Sequence, residues 1–310
     1  MTSNSNISLP VAVSAERLEV NERAGRLSYY VAGGGPPALV LHSINAAGSA
    51  YEVKPIFEVL STTHRVYAPD LPGFGHSDRS RRDYDVDLYV QAILDMLNVI
   101  ARDFGDQPVD GIALSLTSEF LARAAQEHPT RFRSLSLITP TGFTSSSDKL
   151  RAEKGATRNM PILSAVLEFP LWRQGLYRQL VRPGTIRYFL KRTYGSDSFD
   201  AGLAAYDDLT THQPGAENAP FAFLSGKLFS RDIRNVYESL EMPVWLGHAT
   251  RGDFKDFRGA DWTASRDNWT VQAFESGALP HFEVPGKFFP ALRGFLSALE
   301  HRGRLRDKRQ

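Results

Sequence analysis

The chain has 310 residues, 42% of them hydrophobic and 23% charged, with a net charge of +1. This length can bury a large core, and the near-neutral balance gives no indication of a nucleic-acid partner. The chain contains no cysteine, which excludes disulfides, thiolate metal sites and a cysteine nucleophile.

The start of the sequence indicates where the protein is located. The first ten residues are polar and lack the basic start and apolar run of a signal peptide. No stretch approaches the ~18 consecutive apolar residues of a membrane span. We therefore expect a soluble, cytoplasmic protein with no integral membrane segment.

The first half of the chain alternates between strand and helix patterns. Residues 16–32 alternate as two strands joined by a turn, and Ala38–Leu41 is a short apolar run typical of a buried strand. The repeated strand-helix-strand order predicts an α/β fold with a mostly parallel central sheet and helices on both faces. The further predicted elements are strand Arg65–Pro69, helix Asp83–Arg102, strand Val109–Ala113, helix Leu116–His128 and strand Leu135–Ile138.

The strand pattern is interrupted after the first half and then resumes. Residues 142–240 lack a convincing buried strand, and within them Leu163–Leu180 and Ile186–Tyr194 have helical patterns. Pro243–Leu246 and Thr270–Phe274 are again typical of strands, and an amphipathic helix follows them. The predicted organisation is a core domain in two parts, 1–141 and 241–310, with a helical cap insertion at 142–240.

Polar residues follow predicted strands at three places in the chain and could act together. Ser115 lies between a strand and a helix, where a helix N-terminus stabilises a negative oxygen; taken alone, it is more often a helix N-cap. His281 lies in the loop before the last helix, and loops at strand ends commonly carry function. Asp253 and Asp256 follow the Pro243–Leu246 strand, and either could orient an imidazole.

The chain order Ser, Asp, His is the order of the catalytic residues in α/β-hydrolases. From about residue 16 to 300 the sequence resembles this superfamily. Tyr67–Arg79 (YAPDLPGFGHSDR) is very similar to the family's strand-4 loop, and Leu39–Asn45 (LVLHSIN) resembles its strand-3 turn. Pro280–Pro285 (PHFEVP) resembles its catalytic-histidine loop.

The resemblance implies specific roles for these residues. Ser115 is the nucleophile, His281 the base and Asp253 the acid, with Asp256 as the alternative acid. The oxyanion hole is formed by the backbone N–H groups of two further residues, Leu116 and Ile44.

The sequence departs from the family pattern at the nucleophile and at the strand-3 turn. The family's Gly-x-Ser-x-Gly is Ala113-Leu-Ser-Leu-Thr117 here, and the branched Thr117 is the harder of the two to fit. Ser43 stands where glycine is usual, which bears on the position of the Ile44 N–H. His42 and His248 are interpreted as structural residues that flank the site.

The expected function is a serine hydrolase that cleaves a carboxylic ester with an apolar acyl or alkyl group through an acyl-enzyme. The alternatives are acyl transfer, thioester cleavage or C–C bond hydrolysis by the same triad, or a catalytically silent fold that binds a ligand. We expect a small-molecule substrate, no cofactor and no metal, and the sequence indicates no oligomeric state. Aromatic residues of the predicted cap could line an acyl pocket, although packing of the cap is the simpler interpretation.

Overall fold

The computed structural model describes residues 8–169 and 171–307, and for residue 148 and residues 300–307 it describes the backbone alone. Eight strands form one sheet in the order β1-β2-β4-β3-β5-β6-β7-β8. The strands are β1 (Glu16–Glu22), β2 (Gly25–Ala32), β3 (Pro37–Leu41), β4 (Arg65–Pro69), β5 (Val109–Leu114), β6 (Phe132–Ile138), β7 (Val244–Ala249) and β8 (Trp269–Phe274).

The direction of the strands determines where a site can form. β1 and β2 form an antiparallel hairpin, and β2 pairs antiparallel with β4. The remaining neighbours, from β4 and β3 through to β8, are parallel. The predicted mostly parallel sheet is therefore confirmed, and the carboxyl ends of its parallel strands lie at one edge, where such folds bind ligands.

Helices cover both faces of the sheet. The α-helices are α1 (Lys54–Leu60), α2 (Val86–Phe104), α3 (Thr117–Glu127), α4 (Pro161–Glu168), α5 (Arg173–Leu180), α6 (Pro183–Tyr194), α7 (Ala201–Thr211), α8 (Asn218–Leu224), α9 (Ile233–Glu238), α10 (Pro280–Glu283) and α11 (Pro285–Asp307). A short 3₁₀ turn, Ala50–Val53, precedes α1.

The core has two layers because strand side chains alternate between faces. In β3, Leu39 and Leu41 belong to the layer that α2 and α3 cover, whereas Ala38 and Val40 belong to the layer that α1 and α11 cover. All five residues of β3 are buried. This continuous burial explains why the strand is an uninterrupted apolar run in the sequence.

The segment between β6 and β7 contains α4 to α9, and its described residues contribute no strand to the sheet. The predicted single helix Leu163–Leu180 is wrong, since α4 ends at Glu168 and α5 begins at Arg173. The sequence has a proline at position 170, and proline lacks the N–H that a continuous helix requires. Of the predicted core parts, the outer ends 1–7 and 308–310 lie outside the described residues.

None of the helices within the described ranges combines the length and the apolar character that a bilayer span requires.

Candidate active site

Ser115 lies on a strained turn between β5 and α3. Its φ is 49°, in the left-handed region that favours glycine, and its N–H donates to the carbonyl of Ile138 at 2.9 Å. Non-glycine residues in this region cost of order 1–3 kcal/mol and concentrate at functional sites. This is the backbone geometry of a nucleophile elbow, which projects a serine from the carboxyl edge of the sheet.

Thr117 is accommodated in the elbow by a specific hydrogen bond. Its buried hydroxyl donates to the backbone carbonyl of His42 at 2.7 Å. The bond joins the start of α3 to the end of β3. A side chain larger than the usual glycine therefore fits here because its one polar atom has a partner.

Ile44 and Leu116 line the same cavity as Ser115. Among the described residues, neither backbone N–H donates a hydrogen bond to another protein group. Two free N–H groups beside a serine oxygen are what an oxyanion hole requires. The oxyanion-hole roles of Ile44 and Leu116 stay predictions. Both N–H groups are free to donate to a substrate oxygen in this arrangement.

His42 supports the β3 loop and is fully hydrogen-bonded. Its Nε2 accepts from the Leu71 N–H at 2.9 Å, and its Nδ1 lies 2.7 Å from the carbonyl of Ser43. Because a carbonyl can only accept, Nδ1 carries the hydrogen and the ring is neutral. Complete burial lowers the pKa of His42, so it remains neutral at physiological pH.

The loop after β4 is the motif most similar to the family, and its role is structural. Its hydrogen bonds, referred to below as the brace, hold the 3₁₀ turn Ala50–Val53 against the loop. Asp70 accepts hydrogen bonds from the Ala50 N–H at 2.8 Å and from the His76 N–H at 2.9 Å. Gly75 has a φ of 50°, and a Cβ there would lie 1.9 Å from the carboxyl carbon of Asp70. The glycine is therefore required so that Asp70 can reach the 3₁₀ turn Ala50–Val53.

His281 lies in α10 and is completely buried. Its Nε2 is 2.7 Å from the backbone carbonyl of Glu52, and its Nδ1 has no partner among the described residues. Nε2 must therefore donate. Burial lowers the pKa of His281 to about 4, so the imidazole is neutral at pH 7.

This hydrogen-bond pattern is the reverse of the pattern in a catalytic triad. In a triad the acid holds Nδ1–H, and Nε2 is free to accept the serine proton. Here Nε2 carries the hydrogen and Nδ1 is bare. The residues of this loop that line the cavity are Ala278 and Leu279, whereas His281 does not line it.

Both predicted acids are bonded to arginines. Asp253 lines the cavity, but its carboxylate accepts from Arg192 Nε at 2.5 Å and its side chain is 43% exposed. Asp256 accepts from Ser145 and from Arg258, and the Arg258 guanidinium holds the pKa of Asp256 well below its usual range.

The structure thus places Ser115, Ile44, Leu116 and Asp253 around one cavity but does not bring His281 to it. No hydrogen bond among the described residues joins His281 to Ser115 or to either aspartate. The triad roles of His281, Asp253 and Asp256 stay predictions, and in this arrangement the triad is not assembled.

Sequence reasoning missed Glu52, which is buried in the cavity wall. Its carboxyl accepts from the Ser43 N–H at 2.8 Å and from Asn45 Nδ2 at 2.6 Å. Burial raises the pKa of Glu52 to about 7. Through its two hydrogen bonds, Glu52 holds the loop that carries Ile44. The local sequence does not reveal this role because it depends on the packing of the 3₁₀ turn.

Asp207 in α7 is the second acid that was missed. It lines the cavity, and its Oδ1 accepts no hydrogen bond from a described residue. Burial, followed by the nearby charge of Glu52, raises the pKa of Asp207 well above its usual value. A sequence signal existed, because Leu203 and Thr210 place position 207 on the buried face of a helix.

The cavity has a volume of about 380 Å³ and is bounded by both the sheet edge and the segment between β6 and β7. Of the aromatic residues proposed as an acyl pocket, Phe189 and Phe223 line it. Leu167, Tyr177 and Phe221 instead pack together in a separate apolar cluster. Across the described ranges, no group of three or more histidine, aspartate or glutamate side chains is arranged to hold a metal ion.

A family model described as the alpha/beta hydrolase fold matches residues 36–183. This match covers β3, the elbow and the first insertion helices, and it agrees with the sheet order and strained serine described above. The chain has the α/β-hydrolase fold. Solved structures with this fold superimpose over nearly the whole chain, which confirms the fold that the sequence predicted.

Two solved structures show the extent of this similarity. A serine hydrolase involved in carbazole degradation is 15% identical with a TM-score of 0.69, and the match covers 91% of this chain and 99% of that one. The enol-lactonase from Burkholderia xenovorans LB400 is 16% identical with a TM-score of 0.68, and the match covers 90% of this chain and 100% of that one. At these identities the likeness concerns the fold.

Curated relatives of this chain match over shorter stretches. An uncharacterized protein of Mycobacterium tuberculosis is 30% identical over 99 residues, 31% of this chain and 28% of the relative. The 2-hydroxymuconate semialdehyde hydrolase of Pseudomonas sp. strain CF600 is 31% identical over 125 residues, 38% of this chain and 41% of the relative. The matched stretches therefore span less than half of these relatives.

Proposed function

We propose that this α/β-hydrolase is a serine hydrolase that cleaves an ester with an apolar acyl or alkyl group. The observation that carries the proposal is Ser115, held at a φ of 49° on the edge of a largely apolar cavity. A strained, cavity-lining serine has no evident structural purpose, since its hydroxyl bonds to no other described residue. The free N–H groups of Leu116 and Ile44 support the same reading.

In the proposed reaction, Ser115 Oγ attacks the ester carbonyl, and the carbonyl oxygen becomes an oxyanion. The N–H groups of Leu116 and Ile44 stabilise this charge, and each such donor typically contributes about 2.7–4 kcal/mol. His281 takes the Ser115 proton during the attack and gives it to the departing alkoxide, which leaves as the alcohol; water, deprotonated by the same imidazole, then attacks the acyl-enzyme and releases the acid with Ser115 restored. A role for His281 as the base requires its imidazole to release the Glu52 carbonyl and turn toward the cavity.

A second candidate is a catalytically silent member of the superfamily that binds an apolar ligand. A specific observation favours it, because no imidazole lines the cavity in the described part of the chain. Without a proton acceptor, Ser115 keeps its proton and is a weak nucleophile.

Labelling with a fluorophosphonate, read out by intact mass, distinguishes the two candidates. For a serine hydrolase we expect one adduct on the wild-type protein, none on Ser115→Ala, and an adduct on the matched control Ser118→Ala. Ser118 is also buried at the start of α3, and its hydroxyl bonds to the Ala113 carbonyl at 3.2 Å. Absence of an adduct on folded wild-type protein contradicts the hydrolase proposal and favours the binding protein.

A further inference from the structure

Two buried carboxyl groups contribute to the cavity from different parts of the fold. Glu52 lies on the 3₁₀ turn beside β3, and Asp207 lies on α7 in the segment between β6 and β7. Their residues are 5% and 6% exposed, and both line the cavity that contains Ser115. The two carboxyl groups are close enough for the charge of Glu52 to raise the pKa of Asp207.

Neither carboxyl group is paired with a positively charged side chain in the part of the chain that the structure describes. The donors to the Glu52 carboxyl that the structure describes, among them the Ser43 N–H and the Asn45 amide, are neutral. Asp207 Oδ1 has no hydrogen-bond partner among the described residues. Arg192, the cationic side chain among the cavity-lining residues, is bonded to Asp253 and to Tyr188 at 2.5 and 2.7 Å.

An unpaired buried carboxylate is strongly unfavourable, so proteins pair such groups or keep them protonated. A native structure rarely retains an unsatisfied buried polar atom without a functional reason. A cation inside the cavity supplies the partner that the protein itself does not provide. The cavity wall otherwise includes apolar side chains such as Ile186, Leu190 and Leu203, which suit an apolar body.

We propose that Glu52 and Asp207 form a subsite for a protonated amine carried by an otherwise apolar ligand. The inference rests on the proposed function in one respect, which is that the ligand carrying the amine is the ester substrate. Binding of the amine itself does not require Ser115. Asp207 is the principal contact, because its Oδ1 is free, whereas both Glu52 oxygens already accept hydrogen bonds.

The test uses three probes with the same apolar chain: hexylammonium, hexan-1-ol and hexanoate. Binding to the full chain is measured by isothermal titration calorimetry at pH 7, on the Ser115→Ala protein as well as the wild type. We expect hexylammonium to bind at least about tenfold more tightly than hexanol, and hexanoate to bind most weakly. Ser115→Ala should give the same order, which separates this result from the outcome of the labelling experiment.

Substitutions of the two acids test whether the ammonium group binds at the Glu52–Asp207 subsite. Asp207→Asn should weaken hexylammonium binding at least about tenfold and leave hexanol binding within about twofold, which also shows that the cavity is intact. Asp208→Asn is the matched control on the same helix and should change neither. If Asp207→Asn does not fold, Glu52→Gln takes its place with the same expected direction.

Two results overturn the proposal. Equal binding of hexylammonium and hexanol means that the acids act as neutral hydrogen-bonding groups. Amine binding that is unchanged in Asp207→Asn and in Glu52→Gln means that the cation is held elsewhere.

Discussion

The Ser115 side of the cavity and the Glu52–Asp207 side differ in how their polar groups are satisfied. Behind Ser115 the supporting side chains are hydrogen-bonded: the Thr117 hydroxyl bonds to the His42 carbonyl, and His42 bonds through both ring nitrogens. On the other side Asp207 Oδ1 and His281 Nδ1 are buried and have no hydrogen-bond partner among the residues that the structure describes.

This difference indicates which groups are structural and which are available to a ligand. A fully bonded polar network stiffens a fold, while an orphaned buried polar atom costs about 1–3 kcal/mol and needs a purpose. The elbow is therefore held rigidly by the protein. The acidic side has unsatisfied groups that a bound molecule can complete.

Substitution in the Asp70–Gly75 brace behind the Ser115 side should lower the stability more than any other substitution in the site. Gly75→Ala puts a methyl group against the Asp70 carboxyl in a left-handed conformation, and we expect it to lower the free energy of unfolding by roughly 4 kcal/mol. Gly155→Ala is the control, because it has a φ of 83° with nothing within 4 Å and should cost only about 1–2 kcal/mol. Urea denaturation measures both, and equal losses would show that the contact with Asp70 is unimportant.

The acidic side should make stability depend on pH. Glu52 has its pKa raised from 4.5 to about 7 in the folded protein, so the folded state binds its proton more tightly than the unfolded chain. That contribution is present below pH 4.5 and is lost as the pH rises through 7, which amounts to about 3 kcal/mol. His281 acts in the opposite direction, because its lowered pKa favours folding as the pH rises from 4 to 6.5.

Glu52→Gln removes the titration of Glu52 together with its effect on Asp207, whereas His281 remains in both proteins. Between pH 5 and pH 8, wild-type stability should fall relative to Glu52→Gln by about 2–3 kcal/mol, measured by urea denaturation at each pH. Glu58→Gln, an exposed acid on the adjacent α1, should follow the wild type. Parallel curves for wild type and Glu52→Gln would contradict the raised pKa.

The same contrast explains what could be predicted from the sequence. The strands, their parallel order and Ser115 follow from apolar runs and local turn signals, which the chain encodes within a few residues. The sequence also predicts His281 in a strand-end loop, whereas the structure places it in the short helix α10. Its orientation depends on α10 packing against the 3₁₀ turn far away in the sequence. Glu52 and Asp207 come together only through the tertiary fold, so no local pattern pairs them.

Thr117 tests whether the altered elbow depends on its hydroxyl. Thr117→Val keeps the shape but leaves the buried His42 carbonyl without this donor, and we expect a loss of about 1.5 kcal/mol in unfolding free energy. Thr117→Ser keeps the hydroxyl and should lose less. The comparison is measured by urea denaturation, and a Thr117→Val protein as stable as the wild type would mean that shape alone fits the elbow.

The smallest effect is expected at Asp253, on the exposed rim between the two sides. Its carboxylate is bonded to Arg192 in solvent, and exposed pairs of this kind contribute little. Asp253→Asn should therefore leave the unfolding midpoint unchanged and alter ester turnover or Ser115 labelling by less than about threefold.

A triad acid behaves differently, because the equivalent amide substitution in a working triad lowers turnover about 10⁴-fold. A drop of that size would show that Asp253 leaves Arg192 and engages His281 during the reaction. A small effect supports a site in which Ser115 works without the predicted acid.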